Sequence, residues 1–143
     1  MNANNFGVSL SDFRLESDGF SDPDWRTKLP VSQGTFLGQV IDIAIDCRST
    51  KDTTPNEEDF SLIELVLSHL ATILPATEAA LDDYNTGAVF DYKELAINPT
   101  IWIPEERDTP TEWSFVVERK DWPDFGWHIE FDGGKFLDIW SGS

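Results

Sequence analysis

The chain has 143 residues, 40% of them apolar and 13% aromatic, with six Trp and ten Phe; that is one domain's worth of chain with enough apolar surface to form a core, and it holds no apolar run of the roughly 20 residues a membrane span needs. Acidic residues outnumber Lys and Arg by 27 to 10, for a formal charge of −17, which excludes nucleic acid and anionic membrane surfaces as partners of the bare protein. Cys47 is the single cysteine, so no internal disulfide forms, and Met1-Asn2-Ala3-Asn4-Asn5 lacks the basic start and apolar stretch of a signal peptide, which makes the cytoplasm the expected compartment.

In chain order, Phe6, Val8, Leu10, Phe13 and Leu15 alternate loosely and predict a short strand or hairpin. A polar loop with Gly19 and Pro23 follows, from Glu16 to Asp24. Residues 1–33 read as an N-terminal strand and loop extension, and residues 34–143 as the sheet and helix of the same single domain. Ile41, Ile43, Ile45 and Cys47 alternate with Asp42, Ala44 and Asp46, a period of two that predicts a strand with its β-branched side turned inward. Thr54-Pro55-Asn56-Glu57 supplies a cap hydroxyl, a proline at the first helical position and a glutamate three residues after the cap. A helix is therefore predicted from about Pro55 to Tyr84. Its apolar stripe of Phe60, Ile63, Leu67, Leu70 and Leu74 is expected to lie on the sheet. Pro75 removes one internal hydrogen bond and predicts a bend there, on the polar arc; Asn85-Thr86-Gly87 ends the helix.

Pro99, Pro104 and Pro110 bracket extended pieces, of which Thr100 to Ile103 is the predicted strand, confined by the prolines to an edge. Trp113, Phe115 and Val117 form the inward side of a further strand. Past the turn from Asp121 to Gly126, Trp127, Ile129 and Phe131 form another, and Asp132-Gly133-Gly134 turns the chain into Lys135 to Trp140. A two-residue turn there places Phe136 and Trp140 beside Phe131 and Trp127, whereas a three-residue turn places Leu137 and Ile139 there. The fold class is α+β: an antiparallel β-sheet with one long, kinked, amphipathic helix packed on one face.

Few motifs carry chemistry. Asp124-Phe125-Gly126 spells a kinase metal-binding tripeptide without the other kinase elements, and Gly133-Gly134-Lys135 lacks the rest of a phosphate loop. His69 and His128 have no nucleophile framing around them, so no catalytic residue is assigned. His128, Glu130 and Asp132 project from one strand face about 7 Å apart. Without a closing ligand from another strand they read as a solvated polar face, and neither metal nor cofactor is expected. The charge layout stands out more: no Lys or Arg lies between Lys51 and Lys93, a stretch that holds nine acidic residues. Glu57, Glu64, Glu78, Asp82 and Asp83 are expected to form an anionic surface on the helix that binds a basic protein, solubility being the competing account of the charge. Trp113 and Trp127 read as core, and Trp25, Trp102, Trp122 and Trp140 as lids at the core's rim or as binding anchors.

From about Gly34 onward, Phe36-Leu37-Gly38-Gln39-Val40, a strand ending in Asp46, the capped helix Asp59 to Tyr84, Trp113-Ser114-Phe115 and Gly126-Trp127-His128-Ile129-Glu130-Phe131 resemble a group of small bacterial proteins of unknown function, some of them regarded as immunity proteins beside secreted toxins. The resemblance brings no catalytic or binding residues with it. It implies a non-enzymatic, acidic inhibitor that covers a basic site on a nuclease-like toxin. The alternative is a small-ligand or carbohydrate-binding domain using the edge tryptophans, and a further one is an enzyme built on His128 and nearby carboxylates.

Overall fold

The computed structural model describes residues 2–3, 8–16, 24–28, 35–40, 42–47, 54–122 and 124–142. Phe6, Ile41, Lys51, Pro123 and residues 17–23 of the expected loop lie outside them. The elements run β1 (Asn2–Ala3), β2 (Val8–Ser9), a 3₁₀ turn (Leu10–Asp12), β3 (Arg14–Glu16), β4 (Asp24–Lys28), β5 (Thr35–Phe36), β6 (Gln39–Val40), β7 (Ala44–Cys47), α1 (Glu57–Ser68), α2 (Leu70–Tyr84), α3 (Tyr92–Leu95), β8 (Ala96–Ile103), β9 (Glu112–Arg119), β10 (Gly126–Asp132) and β11 (Lys135–Gly142). The fold is α+β, with a seven-stranded sheet in the order β11-β10-β9-β8-β7-β4-β3. Neighbours pair antiparallel except β7 with β8, which are parallel. A parallel pair needs a long crossover, and here the helices that follow β7 supply it. β3 and β4, from the N-terminal extension, continue the same sheet beyond β7.

Three local expectations change. The helix is capped by Asn56 rather than Thr54: the Asn56 side chain accepts from the Asp59 N–H at 3.0 Å while the Asp59 carboxylate accepts from the Asn56 N–H at 2.9 Å, so two orphan donors are satisfied reciprocally. The bend falls at His69, not Pro75, and turns α2 by 76° from α1. At this elbow the Ser68 hydroxyl donates to the Leu65 carbonyl at 2.7 Å, His69 Nδ1 lies 2.9 Å from the same oxygen, and the His69 N–H turns to the Val66 carbonyl at 3.1 Å. Side chains thus serve a carbonyl that the next turn of helix would have used. Pro75 lies inside α2, on its exposed side, where water can serve the carbonyl its missing N–H leaves open. The third change concerns β8, which is a central strand of eight residues rather than an edge. Pro99 is tolerated because the β8–β9 register shifts between Ile97 and Thr100: at a bulge the ladder makes no demand on the absent donor.

The stripe of Phe60, Ile63, Leu67, Leu70 and Leu74 is buried against the sheet, with Trp113, Phe115, Phe131 and Ile129 fully enclosed in the same core. The tip of the β10–β11 hairpin reaches the elbow. Gly133 adopts a φ of +57°, which a two-residue turn requires and glycine supplies without steric cost, and a Cβ on Gly134 would lie 3.1 Å from His69 Cδ2. No single helix among the described residues is long and apolar enough to cross a membrane. Thr77 is fully buried in α2 with no hydrogen-bond partner for its hydroxyl among the described residues. Thr77→Val keeps the shape and removes the unsatisfied group, so urea denaturation should show stability unchanged or raised by up to about 1 kcal/mol; a loss of that size would mean the hydroxyl is bonded after all.

Candidate functional site

The pleat divides the sheet into two chemistries. Ile101 and Ile103, Trp113, Phe115 and Val117, and Trp127, Ile129 and Phe131 point into the helix-covered core. The residues between them point the other way, onto an open face. Register places them in two rows: Glu130, Ser114, Trp102, Asp46 and Arg26 lie side by side across β10, β9, β8, β7 and β4, and Trp140, His128, Val116 and Thr100 across β11, β10, β9 and β8. Together with Glu118 they line a groove of about 400 Å³. Its floor is low because β9 contributes Ser114 and Val116, and its walls are high because Trp102 stands on one side and Trp140 on the other.

The hairpin after Asp132 decides where Trp140 goes. A two-residue turn sets Phe136 opposite Phe131, then a bulge moves the register, so that Ile139 faces Ile129 and Trp140 faces His128. Each of the two expected registers therefore holds for part of the strand. Trp140 stacks on His128 with ring centroids 3.9 Å apart and planes 5° from parallel. Gly142 assists by lacking a side chain: a Cβ there would sit 3.3 Å from Trp140 Cζ3.

The polar groups of the groove are tied to one another. Trp140 Nε1 donates to Glu130 at 3.3 Å, Asn98 Nδ2 donates to Glu118 at 2.7 Å, and the Arg26 guanidinium lies 3.5 Å from the Asp46 carboxylate. Burial holds the His128 pKa below the ordinary histidine value, against the opposing pulls of the Gly142 carbonyl and the Glu130 carboxylate, so the ring is neutral near pH 7. The unfolded chain takes up a proton near pH 6.5 that the folded chain resists. Stability from this group is therefore complete above that pH and is lost as pH falls below it. His128→Phe should make the melting temperature less sensitive to acidification between about pH 7.5 and 5.5 than the parent's. Equal losses in both proteins would show that His128 titrates alike folded and unfolded.

The five acids expected on the helix are divided by the elbow, Glu57 and Glu64 on α1 and Glu78, Asp82 and Asp83 on α2. Glu57, Asp82 and Asp83 are exposed, and Glu64 and Glu78 half-buried. Two of them hold neighbouring structure: Glu78 accepts from the Leu37 N–H at 2.6 Å, and Asp82 accepts from the Tyr92 hydroxyl. Burial first, then Asp82, raises the Tyr92 pKa far above the usual phenol value and keeps it a donor. Asp59 pairs with Arg107 at 3.0 Å.

Of the strand-face set, His128 and Glu130 share the groove, while Asp132 lies at the strand end and accepts from the Thr111 hydroxyl. Among the described residues no three His, Cys, Asp or Glu side chains converge as metal ligands. His69 touches Ser68, with Oγ 3.1 Å from Nδ1, but both groups are directed at the Leu65 carbonyl of the elbow. Trp113, Trp127 and Cys47 are core. Trp25 packs half-buried against the core, and the exposed Trp122 stacks on Phe125 at 4.6 Å. Only strand register could have joined Trp102 and Trp140 to Glu130 and Glu118, and one bulge hides that register from the sequence. Comparison with protein-family models, with curated proteins and with solved structures finds no match to this chain.

Proposed function

We propose that the protein is a non-enzymatic acidic binding protein, an immunity-type inhibitor that acts in the cytoplasm by covering the basic site of a nuclease-like toxin. The observation that carries this reading is unopposed charge: a net −17, with no Lys or Arg from residue 52 to residue 92. Ordinary solvated helices mix both signs for i, i+4 support. A chain that omits the cations keeps its self-repulsion unless a basic partner relieves it. Glu57, Glu64, Glu78, Asp82 and Asp83 carry part of the field that draws such a partner in. The acidic face mimics the charge of the toxin's substrate, so the inhibitor competes with that substrate for the basic site.

A second reading has one observation in its favour, the placement of Trp102 and Trp140 around a single groove, which also suits a small ligand or carbohydrate. Co-expression separates the two. The nuclease-like product of a neighbouring gene, expressed with and without this chain, should arrest growth alone and be neutralised and co-purified in its presence. Growth arrest that persists with this chain present overturns the inhibitor reading.

A further inference from the structure

We infer that the groove on the open sheet face seats an arginine side chain of an extended basic segment, its guanidinium lying over Ser114 and Val116 between Trp102 and the stacked His128–Trp140 pair and bonded to Glu130. This rests on the proposed basic partner and names the face and the group through which it docks.

The geometry supports it in three ways. Trp102 and His128 stand on strands two apart, about 10 Å between backbones, and one row apart along them, about 7 Å; the low side chains of Ser114 and Val116 between them leave room for a planar group on the floor of the groove. A guanidinium is planar, stacks on indole faces and matches a carboxylate with parallel N–H donors, which an ammonium cannot do. Charge is complementary as well. Asp46 is opposed by Arg26, whereas among the described residues Glu130 accepts from the neutral donor Trp140 and Glu118 from the neutral donor Asn98, and burial favours the neutral form of His128. Glu118 lies two residues beyond Val116, about 7 Å along β9, and offers a carboxylate to a second basic residue of the same segment. A second copy of this chain, at −17, is repelled from the groove, and a neutral sugar makes no use of its charge.

The test uses the full-length ¹⁵N-labelled chain and the peptide acetyl-Gly-Arg-Gly-Arg-Gly-amide, followed by the indole N–H resonances of Trp102 and Trp140, with Trp122 as the exposed reference. The inference expects saturable shifts at Trp102 and Trp140 and none at Trp122. It also expects at least fivefold weaker binding to a Glu130→Gln variant of unchanged melting temperature, the parent affinity in Glu58→Gln on the far side of the molecule, and loss of binding when citrulline, the uncharged isostere, replaces arginine. Shifts confined to α1 and α2 would overturn the groove while leaving the basic-partner reading standing. Cellotetraose shifting Trp102 and Trp140 where the arginine peptide does not would overturn both. Full affinity in Glu130→Gln, or no response to the peptide at millimolar concentration, also overturns the inference.

Discussion

Leu67→Asp destabilises the domain by more than about 3 kcal/mol. Leu67 is 3% exposed in the last turn of α1, two residues before the short break at His69, and belongs to the stripe that closes the core over the sheet. The substitution removes a packed side chain and leaves a carboxylate where no water reaches it; either effect alone costs about 2–5 kcal/mol. Domains of this size have only about 5–15 kcal/mol in hand, so the variant should be largely unfolded at 37 °C. Leu67→Met, which conserves volume, should lose less than about 1.5 kcal/mol. Urea denaturation followed by tryptophan fluorescence gives both numbers. Wild-type stability in Leu67→Asp would mean that the stripe does not face the core.

Trp113→Ala is expected to cost about 3–5 kcal/mol, the usual range for emptying a buried indole site. The side chain is fully enclosed, stacked on Phe131 at 4.8 Å and edge-on to Phe115 at 6.4 Å. Its Nε1 donates to the Gly133 carbonyl at 2.7 Å, and the Gly133 N–H donates to the Thr111 carbonyl at 2.8 Å. Trp113 therefore does two things, filling the core under the helices and fixing the hairpin tip that meets the elbow. Trp113→Phe separates them: most of the apolar area stays, the donor goes, and an enclosed carbonyl loses its partner at a cost of about 1–3 kcal/mol. Hydrogen exchange should show the Gly134 and Lys135 amides opening in the Phe variant while those of β9 stay protected. Unchanged exchange at the tip would show that the indole N–H does not anchor it.

Periodicity carried most of the core. The inward residues of β9 and β10 and the helix stripe could be read directly because one face of each element is more deeply buried than the other, so hydrophobicity records orientation. Where that contrast fails, the sequence says less. Ala44 and Asp46 on the outward side of β7 are themselves buried, as expected of a strand lying mid-sheet between β4 and β8. Pro99 suggested an edge because the bulge that accommodates it depends on β9, a strand distant in sequence. The elbow at His69 was masked by Pro75, the stronger breaker by propensity, because the Ser68 and His69 side chains take a carbonyl that no propensity scale assigns to them. The groove was the least legible part. Its residues come from six strands, and whether Trp140 faces the core or the open side turns on one extra residue in β11.

The claim that the acidic excess serves a basic partner is tested most directly by association kinetics. A nuclease-like toxin that this chain neutralises on co-expression would be mixed with the parent chain and with a Glu57→Lys, Asp83→Lys double variant, both positions being exposed, at low and at physiological salt. Charges act over a Debye length of about 8 Å at physiological ionic strength and influence encounter more than residence. The account predicts that the double variant associates several-fold more slowly at low salt and with a flatter salt dependence, at an unchanged melting temperature. Equal association rates for the two proteins at both salt concentrations would contradict it and return the charge to a role in solubility.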